Sequence, residues 1–123
     1  MSRSGRGEKG TWIQLLILKI LYETPSHGYA LIEKVNSLQS GRRPIKPGSL
    51  YTILRRMEKE GLLESNWDDK NSRLNRRVYN LSEAGVHRLK DGRKMVKNQL
   101  IILKDIQEFY DEYFNEPEVE KQE

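Results

Sequence analysis

The chain contains no cysteine, which excludes disulfide staples, thiolate zinc sites and a cysteine nucleophile together. That absence fits a reducing compartment, and a cytoplasmic setting is expected. Histidine is almost as scarce. His27 and His87 are the only two, and no carboxylate stands at a metal-ligand spacing from either, so no metal is expected. His27 reads as a packing or capping residue at a helix start, and His87 as helix surface. A Gly-rich phosphate loop, a nucleophile motif and an internal repeat are all missing. Asp68-Asp69 reads as a turn stabiliser, because aspartates bond their own backbone in turns. No catalytic set and no cofactor follow. A membrane span is absent as well. The apolar run from Trp12 to Tyr22 is broken by Gln14 and Lys19, is too short to cross a bilayer, and lacks the small-residue cleavage site of a signal peptide.

What is present is one domain's worth of polar chain. At 123 residues there is room for one compact core and not for a two-domain enzyme. Hydrophobic residues make up 36% and charged residues 33%, with a mean hydropathy of -0.81, which predicts a thin core rather than disorder. The net charge of +4 conceals a split: residues 1–104 carry 21 Lys/Arg against 10 Asp/Glu, and residues 105–123 carry 1 against 8. A basic body that meets a polyanion and an acidic tail that avoids one are the expectation.

Residues 1–10 are Ser, Gly and Arg with little that is apolar, and read as a flexible basic arm. Thr11 and Gln14 form a capping box for a first helix ending near Glu23, ahead of Thr24-Pro25. That helix is apolar on every side and must be covered on every side; the rest of so small a chain covers about half, leaving the remainder to a second subunit. Ser26 caps a second helix to about Gln39, with Ala30, Leu31, Val35 and Leu38 on one stripe and Ser40-Gly41 as its stop. After the basic linker Arg42 to Lys46, Pro47 opens a third helix that runs to about Glu60, and Gly61 ends it. Alternation then replaces helical spacing: Leu62–Trp67 and Arg76–Leu81 read as strands around a polar loop. Ser82 is the N-cap of a last helix reaching Asn115, about 50 Å long at 1.5 Å per residue. Residues 116–123 form an acidic tail.

Two short helices joined by a basic turn and followed by a two-stranded ribbon make a mainly α winged helix-turn-helix, spanning residues 11–81, with a long C-terminal dimerisation helix over residues 82–115. On the third helix Leu50, Ile53, Leu54 and Met57 gather on one side and Thr52, Arg55 and Lys59 on the other, flanked by Ser49, Tyr51 and Arg56. Arg55 or Arg56 can fork onto guanine, Thr52 or Tyr51 can meet a thymine methyl or a phosphate, and Lys59 can reach the backbone. Arg42, Arg43 and Lys46 stand beside the helix start, where free N–H groups already favour phosphate. Lys70, Arg73, Arg76 and Arg77 add a third cluster at the hairpin. Three converging basic clusters point to nucleic acid, and charge alone leaves DNA, RNA and an acidic protein partner open.

The segments Pro25-Ser26-His27-Gly28-Tyr29, Pro47-Gly48-Ser49-Leu50-Tyr51, Leu54-Arg55-Arg56-Met57-Glu58-Lys59-Glu60-Gly61-Leu62-Leu63, Trp67 and Arg76-Arg77-Val78-Tyr79-Asn80-Leu81-Ser82-Glu83-Ala84-Gly85 occur in that order. Together they resemble the PadR family of winged-helix transcriptional regulators over roughly residues 12–90. The resemblance implies a homodimer that binds double-stranded DNA at a palindromic operator, usually as a repressor, and that lets go on a small-molecule or environmental signal. It assigns base reading to Ser49, Tyr51, Thr52, Arg55 and Arg56, phosphate to Lys46, and the wing to Arg76 and Arg77. Leu74-Asn75 departs from the Gly-Pro usual before the wing arginine.

In the last helix Leu89, Val96, Leu103 and Tyr110 fall seven apart, and Leu100, Ile106, Tyr113 and Phe114 widen their stripe, which Gly92 and Gln99 interrupt. A stripe longer than its own domain needs another chain. The expected dimer interface is Leu16, Ile20, Val96, Leu100, Leu103, Ile106, Tyr110 and Tyr113. Trp12 reads as a core or interface residue. Some PadR relatives bind flat aromatic compounds between their first and last helices, which makes Trp12, Leu15, Phe109 and Tyr110 the candidate pocket for a small aromatic effector.

Overall fold

A computed structural model describes residues 4–39, 43–68 and 77–115. In chain order its elements are α1 (Ser4–Glu23), β1 (Ser26–His27), α2 (Gly28–Leu38), α3 (Pro47–Lys59), β2 (Leu63–Trp67), β3 (Arg77–Leu81) and α4 (Glu83–Tyr113). This is the mainly helical winged helix-turn-helix the residue pattern predicts, with one strand more than foreseen.

The start of α1 differs from expectation. It begins at Ser4, so the Thr11–Gln14 box lies inside the helix, and residues 4–10, expected to precede it, are helical. Once a turn is nucleated each further residue adds a backbone hydrogen bond, and that gain offsets the poor propensity of Gly and Ser. Ile17, Leu18, Ile20 and Leu21 of α1 form the centre of the core, with Leu31 and Val35 of α2, Leu50, Leu54 and Met57 of α3, and Leu62, Leu63 and Tyr79. Each such aliphatic side chain contributes about 1.5–3 kcal/mol by leaving water. Ile20 requires a correction: it is 4% exposed within its own chain, because α2 and β3 both pack on α1, and it belongs to the core rather than to a dimer seam. Trp12, Leu15 and Leu16 are half-buried and Tyr22 is exposed.

Ser26 does not cap α2. It lies in β1, which pairs antiparallel with β3 through Ser26↔Tyr79 and His27↔Val78, and the sheet order is β1-β3-β2. Pro25 biases the preceding chain towards extended backbone, and β3 supplies an edge for two further residues. The Ser26 hydroxyl donates instead to the Thr24 carbonyl, and His27 takes the N-cap position without a side-chain cap bond.

The turn from α3 into the wing is tightly specified. Gly61 adopts φ +84°, the left-handed conformation glycine tolerates. Its N–H donates to the Glu58 carbonyl (3.0 Å) and the Leu62 N–H to the Met57 carbonyl (2.9 Å), the paired bonds of a Schellman motif. Ser82 caps α4 as expected, accepting the Gly85 N–H at 3.0 Å, while its own hydroxyl donates to the Gly61 carbonyl. One serine thus joins the α4 start to the α3–wing turn.

The chain divides into two units at Lys90. In the first, the beginning of α4 packs through Gly85 and Leu89. In the second, Leu100, Ile101, Ile102, Leu103, Ile106, Phe109, Tyr110, Tyr113 and Phe114 are all exposed, and Val96 is half-buried. Among the described residues no helix is long and apolar enough to cross a membrane.

Candidate nucleic-acid interface

Placement of α3 begins one loop earlier. Asn36 near the end of α2 accepts the Ile45 N–H at 2.8 Å through Oδ1 and donates to the Ile45 carbonyl at 3.4 Å through Nδ2. Both polar groups of Ile45 are thereby held, and the linker delivers exposed Lys46 to the N-cap of α3. Pro47 follows as the first helical residue. Arg43 is exposed, and Arg42 lies outside the described residues.

With Leu50, Leu54 and Met57 buried, the α3 surface that remains carries Ser49, Thr52, Arg55, Arg56 and Lys59, all exposed. The Thr52 hydroxyl donates to the Gly48 carbonyl at 3.0 Å, which leaves its methyl group and its acceptor lone pairs outward. Tyr51 is half-buried, with its ring against α2. A Cβ at Gly28 would come within 2.5 Å of the ring edge, so α2 and Tyr51 fit only because residue 28 lacks a side chain.

The wing presents one sheet face to α3. Register pairs Leu63↔Leu81, Ser65↔Tyr79 and Trp67↔Arg77, and alternation puts all six on the same side. Arg77, half-buried, has its guanidinium 4.7 Å from the Trp67 ring centroid and donates to the Ser65 hydroxyl at 3.3 Å. Ser65 in turn donates to the Glu58 carboxylate at 2.7 Å. Arg55, Arg56, Glu58, Lys59 and Arg77 line one open concavity between α3 and the wing. Behind it the Tyr79 hydroxyl is pushed above its ordinary 10.0, first by burial and next by the Glu58 carboxylate, with the charges of Arg77 and Arg55 pulling the other way.

On the opposite sheet face His27 Nε2 lies 2.9 Å from Asp68 Oδ2, and the His27 ring stacks on Tyr29 at 5.7 Å. This joins the α2 start to the end of β2. It was not foreseen: neither a two-residue strand nor a side-chain pair 41 positions apart leaves a local signature. Among the described residues no three metal-ligating side chains cluster.

The arrangement brings Lys46, Ser49, Tyr51, Thr52, Arg55, Arg56, Lys59 and Arg77 onto α3 and its two flanks. Arg73, Arg76, Lys70 and the Leu74-Asn75 departure lie outside the described residues. Trp12 and Leu15 fall in the first unit and Phe109 and Tyr110 in the second. Glu58, Ser65, Trp67 and Asn36 were missed as site residues. The alternation of the wing strands is the one signal that put Ser65 and Trp67 on the Arg77 face.

Residues 17–91 match the model of the transcriptional regulator PadR-like family. A transcriptional regulator of Escherichia coli, YqjI, is 29% identical over 93 residues, which are 76% of this chain and 41% of that protein. The chain spans less than two thirds of the length of the curated relatives it matches. Among solved structures, a PadR family transcription regulator from Clostridium difficile superposes with TM-score 0.67 at 25% identity, covering 78% of this chain and 98% of that one. A PadR-like transcriptional regulator from Bacillus cereus gives 0.64 at 25% identity, covering 76% and 89%. Since the family model covers more than half of its length and the helix-turn-helix and wing that carry the exposed cations fall inside the matched region, the chain belongs to the transcriptional regulator PadR-like family.

Proposed function

We propose that the protein is a homodimeric, sequence-specific DNA-binding repressor that releases its operator on a small-molecule or environmental signal. The observation that carries this reading is the α3 surface: three cations and two hydroxyl side chains stand exposed on one helix, between Lys46 on one flank and Arg77 on the other. A helix of that kind enters a major groove, its cations answering phosphates and guanine edges. Lys46 meets the backbone, while Ser49, Tyr51, Thr52, Arg55, Arg56 and Lys59 face base edges and the adjoining phosphates. Arg77, and with it Arg73 and Arg76, serve the wing.

The dimer is supported by the second unit taken alone. At 100° per residue, Leu100, Ile102, Leu103, Ile106, Phe109, Tyr110, Tyr113 and Phe114 share an arc of about 180°, and Lys104, Asp105, Glu108, Asp111 and Glu112 occupy the other half together with Ile101. A two-helix seam is narrower, about 100°. So wide a face needs more than one covering helix, and a second copy offers its own α4 and the half-exposed Leu16 side of its α1. Val96, Leu100, Leu103, Ile106, Tyr110 and Tyr113 make the proposed seam. On a palindromic operator the two α3 helices of such a two-fold dimer must enter major grooves about 34 Å apart, or a multiple of it.

The releasing signal in this reading is a small aromatic effector. Such a ligand changes operator affinity only by its differential affinity for the two dimer states.

Selection of bound fragments from random duplex DNA tests the reading. A recovered palindrome with half-sites one helical turn apart is the expected result. Recovery without sequence preference, or tighter binding to RNA or to an acidic protein than to any duplex, overturns it. Sedimentation at micromolar concentration should give a dimer that Leu103→Glu converts to monomer.

A further inference from the structure

An acidic side chain in the middle of a surface built to meet phosphates calls for a reason. Glu58 is surrounded by Arg55, Arg56, Lys59 and Arg77 on the walls of one concavity, where a carboxylate weakens attraction to any polyanion. It is half-buried, and it accepts a hydrogen bond from the neutral Ser65 at 2.7 Å. Ser65 has one proton to donate and lone pairs to accept with, and it uses both: its proton goes to Glu58, and its oxygen receives the Arg77 guanidinium at 3.3 Å. The direction of the chain is therefore settled by chemistry, from guanidinium to hydroxyl to carboxylate, with a charge at each end strengthening the bonds between. Trp67 lies against the Arg77 guanidinium, with its ring centroid 4.7 Å away.

We propose that Glu58, acting through the Ser65 hydroxyl, is a positioning residue that aims the Arg77 guanidinium at a DNA phosphate and so locks the wing in register with α3. The idea rests on the reading that α3 and the wing meet DNA. Arg77 has five donor N–H groups, and those not given to Ser65 remain for phosphate oxygens. Glu58 exchanges general affinity for a fixed wing arginine. Its loss should therefore separate two quantities that a merely structural residue moves together.

The test uses the full chain and has one arm without DNA. In that arm the Arg77 Nη1–H resonance, the proton given to Ser65, is followed by NMR in the wild type, Glu58→Ala, Glu58→Gln and Ser65→Ala. Held as described, that proton exchanges slowly with water; Glu58→Ala and Ser65→Ala speed its exchange, and Glu58→Gln, whose amide oxygen still accepts from Ser65, largely preserves it. In the second arm binding is measured to the duplex recovered by selection and to a mixed-sequence duplex. Glu58→Ala and Ser65→Ala each weaken the selected duplex about tenfold, the double variant no more than either single one. On the mixed duplex Glu58→Ala binds a few-fold tighter, because an anion has left the face. Equal exchange in all four proteins overturns the proposal, as does additive loss in the double variant. Should the wild type show no duplex preference at all, the functional reading fails while the exchange arm still decides the role of Glu58. Ser65→Ala covers the case in which Glu58→Ala does not fold.

Discussion

Replacing Gly85 with alanine sets two effects of opposite sign against each other in the first turn of α4. Helix propensity favours alanine over glycine by about 1 kcal/mol. Packing opposes it. A Cβ at residue 85 would press on the carbonyl oxygen of Leu62, with the Leu62 carbonyl carbon 3.2 Å away and Leu81 Cδ2 3.3 Å away. The obstacle is backbone and has little freedom: the Leu62 carbonyl accepts the Ser82 N–H at 3.1 Å, and Leu62 itself closes the Schellman turn. Relief requires α4 to lift, which stretches that bond and the Ser82–Gly61 bond, each with a net value of about 1 kcal/mol. Overpacking adds about 1–3 kcal/mol. Packing wins, and Gly85→Ala should lose about 2–4 kcal/mol, a fall in Tm of roughly 10 °C for a chain of this size. Urea unfolding at fixed protomer concentration reads the effect, with Gly48→Ala as control. Gly48 also stands in a first helical turn, but a Cβ there meets nothing within 4 Å, so the control should be neutral or stabilised. A Gly85→Ala protein as stable as its parent would refute the close approach of α4 to Leu62.

Three further outcomes are expected. Gly28→Ala pushes the Tyr51 ring aside at its free end, so unfolding should shift by less than about 1 kcal/mol while affinity for the selected duplex falls about tenfold; unchanged affinity removes Tyr51 from the interface. Arg55→Ala should cost about 1–3 kcal/mol on the selected duplex and relax its sequence choice, whereas Lys46→Ala should weaken all duplexes alike and reduce the salt slope by about one. For Tyr79, whose hydroxyl holds its proton above the ordinary 10.0 in the folded chain, the unfolded state releases the proton first. Its contribution is therefore complete below that pH and is lost as pH rises towards the folded value. Tyr79→Phe should flatten the loss of stability that sets in as pH rises past the ordinary 10.0 in urea titrations; parallel curves for variant and parent would contradict the burial of that hydroxyl.

Whatever depends on neighbours along the chain was legible in the residues themselves. Pro47 opening α3, Gly61 ending it, Ser82 capping α4 and the Leu50–Leu54–Met57 stripe are local effects, decided by dihedral freedom, capping bonds and helical period. The basic surface followed from the same stripe, since burying one side of α3 dictates which side is left. Periodicity says that a face is apolar but not what covers it, which is why Ile20 was assigned to a partner and belongs to the chain's own core. Only the tertiary structure could decide β1, the His27–Asp68 pair and the Glu58–Ser65–Arg77 chain. Each joins residues brought together by the folding of the sheet onto the helices, and contacts of that kind have no period, cap or breaker to announce them. The sequence by itself therefore determined the succession of four helices, the two wing strands and the sign of the charge on α3, and the three-dimensional packing added β1 and decided how those cations are held.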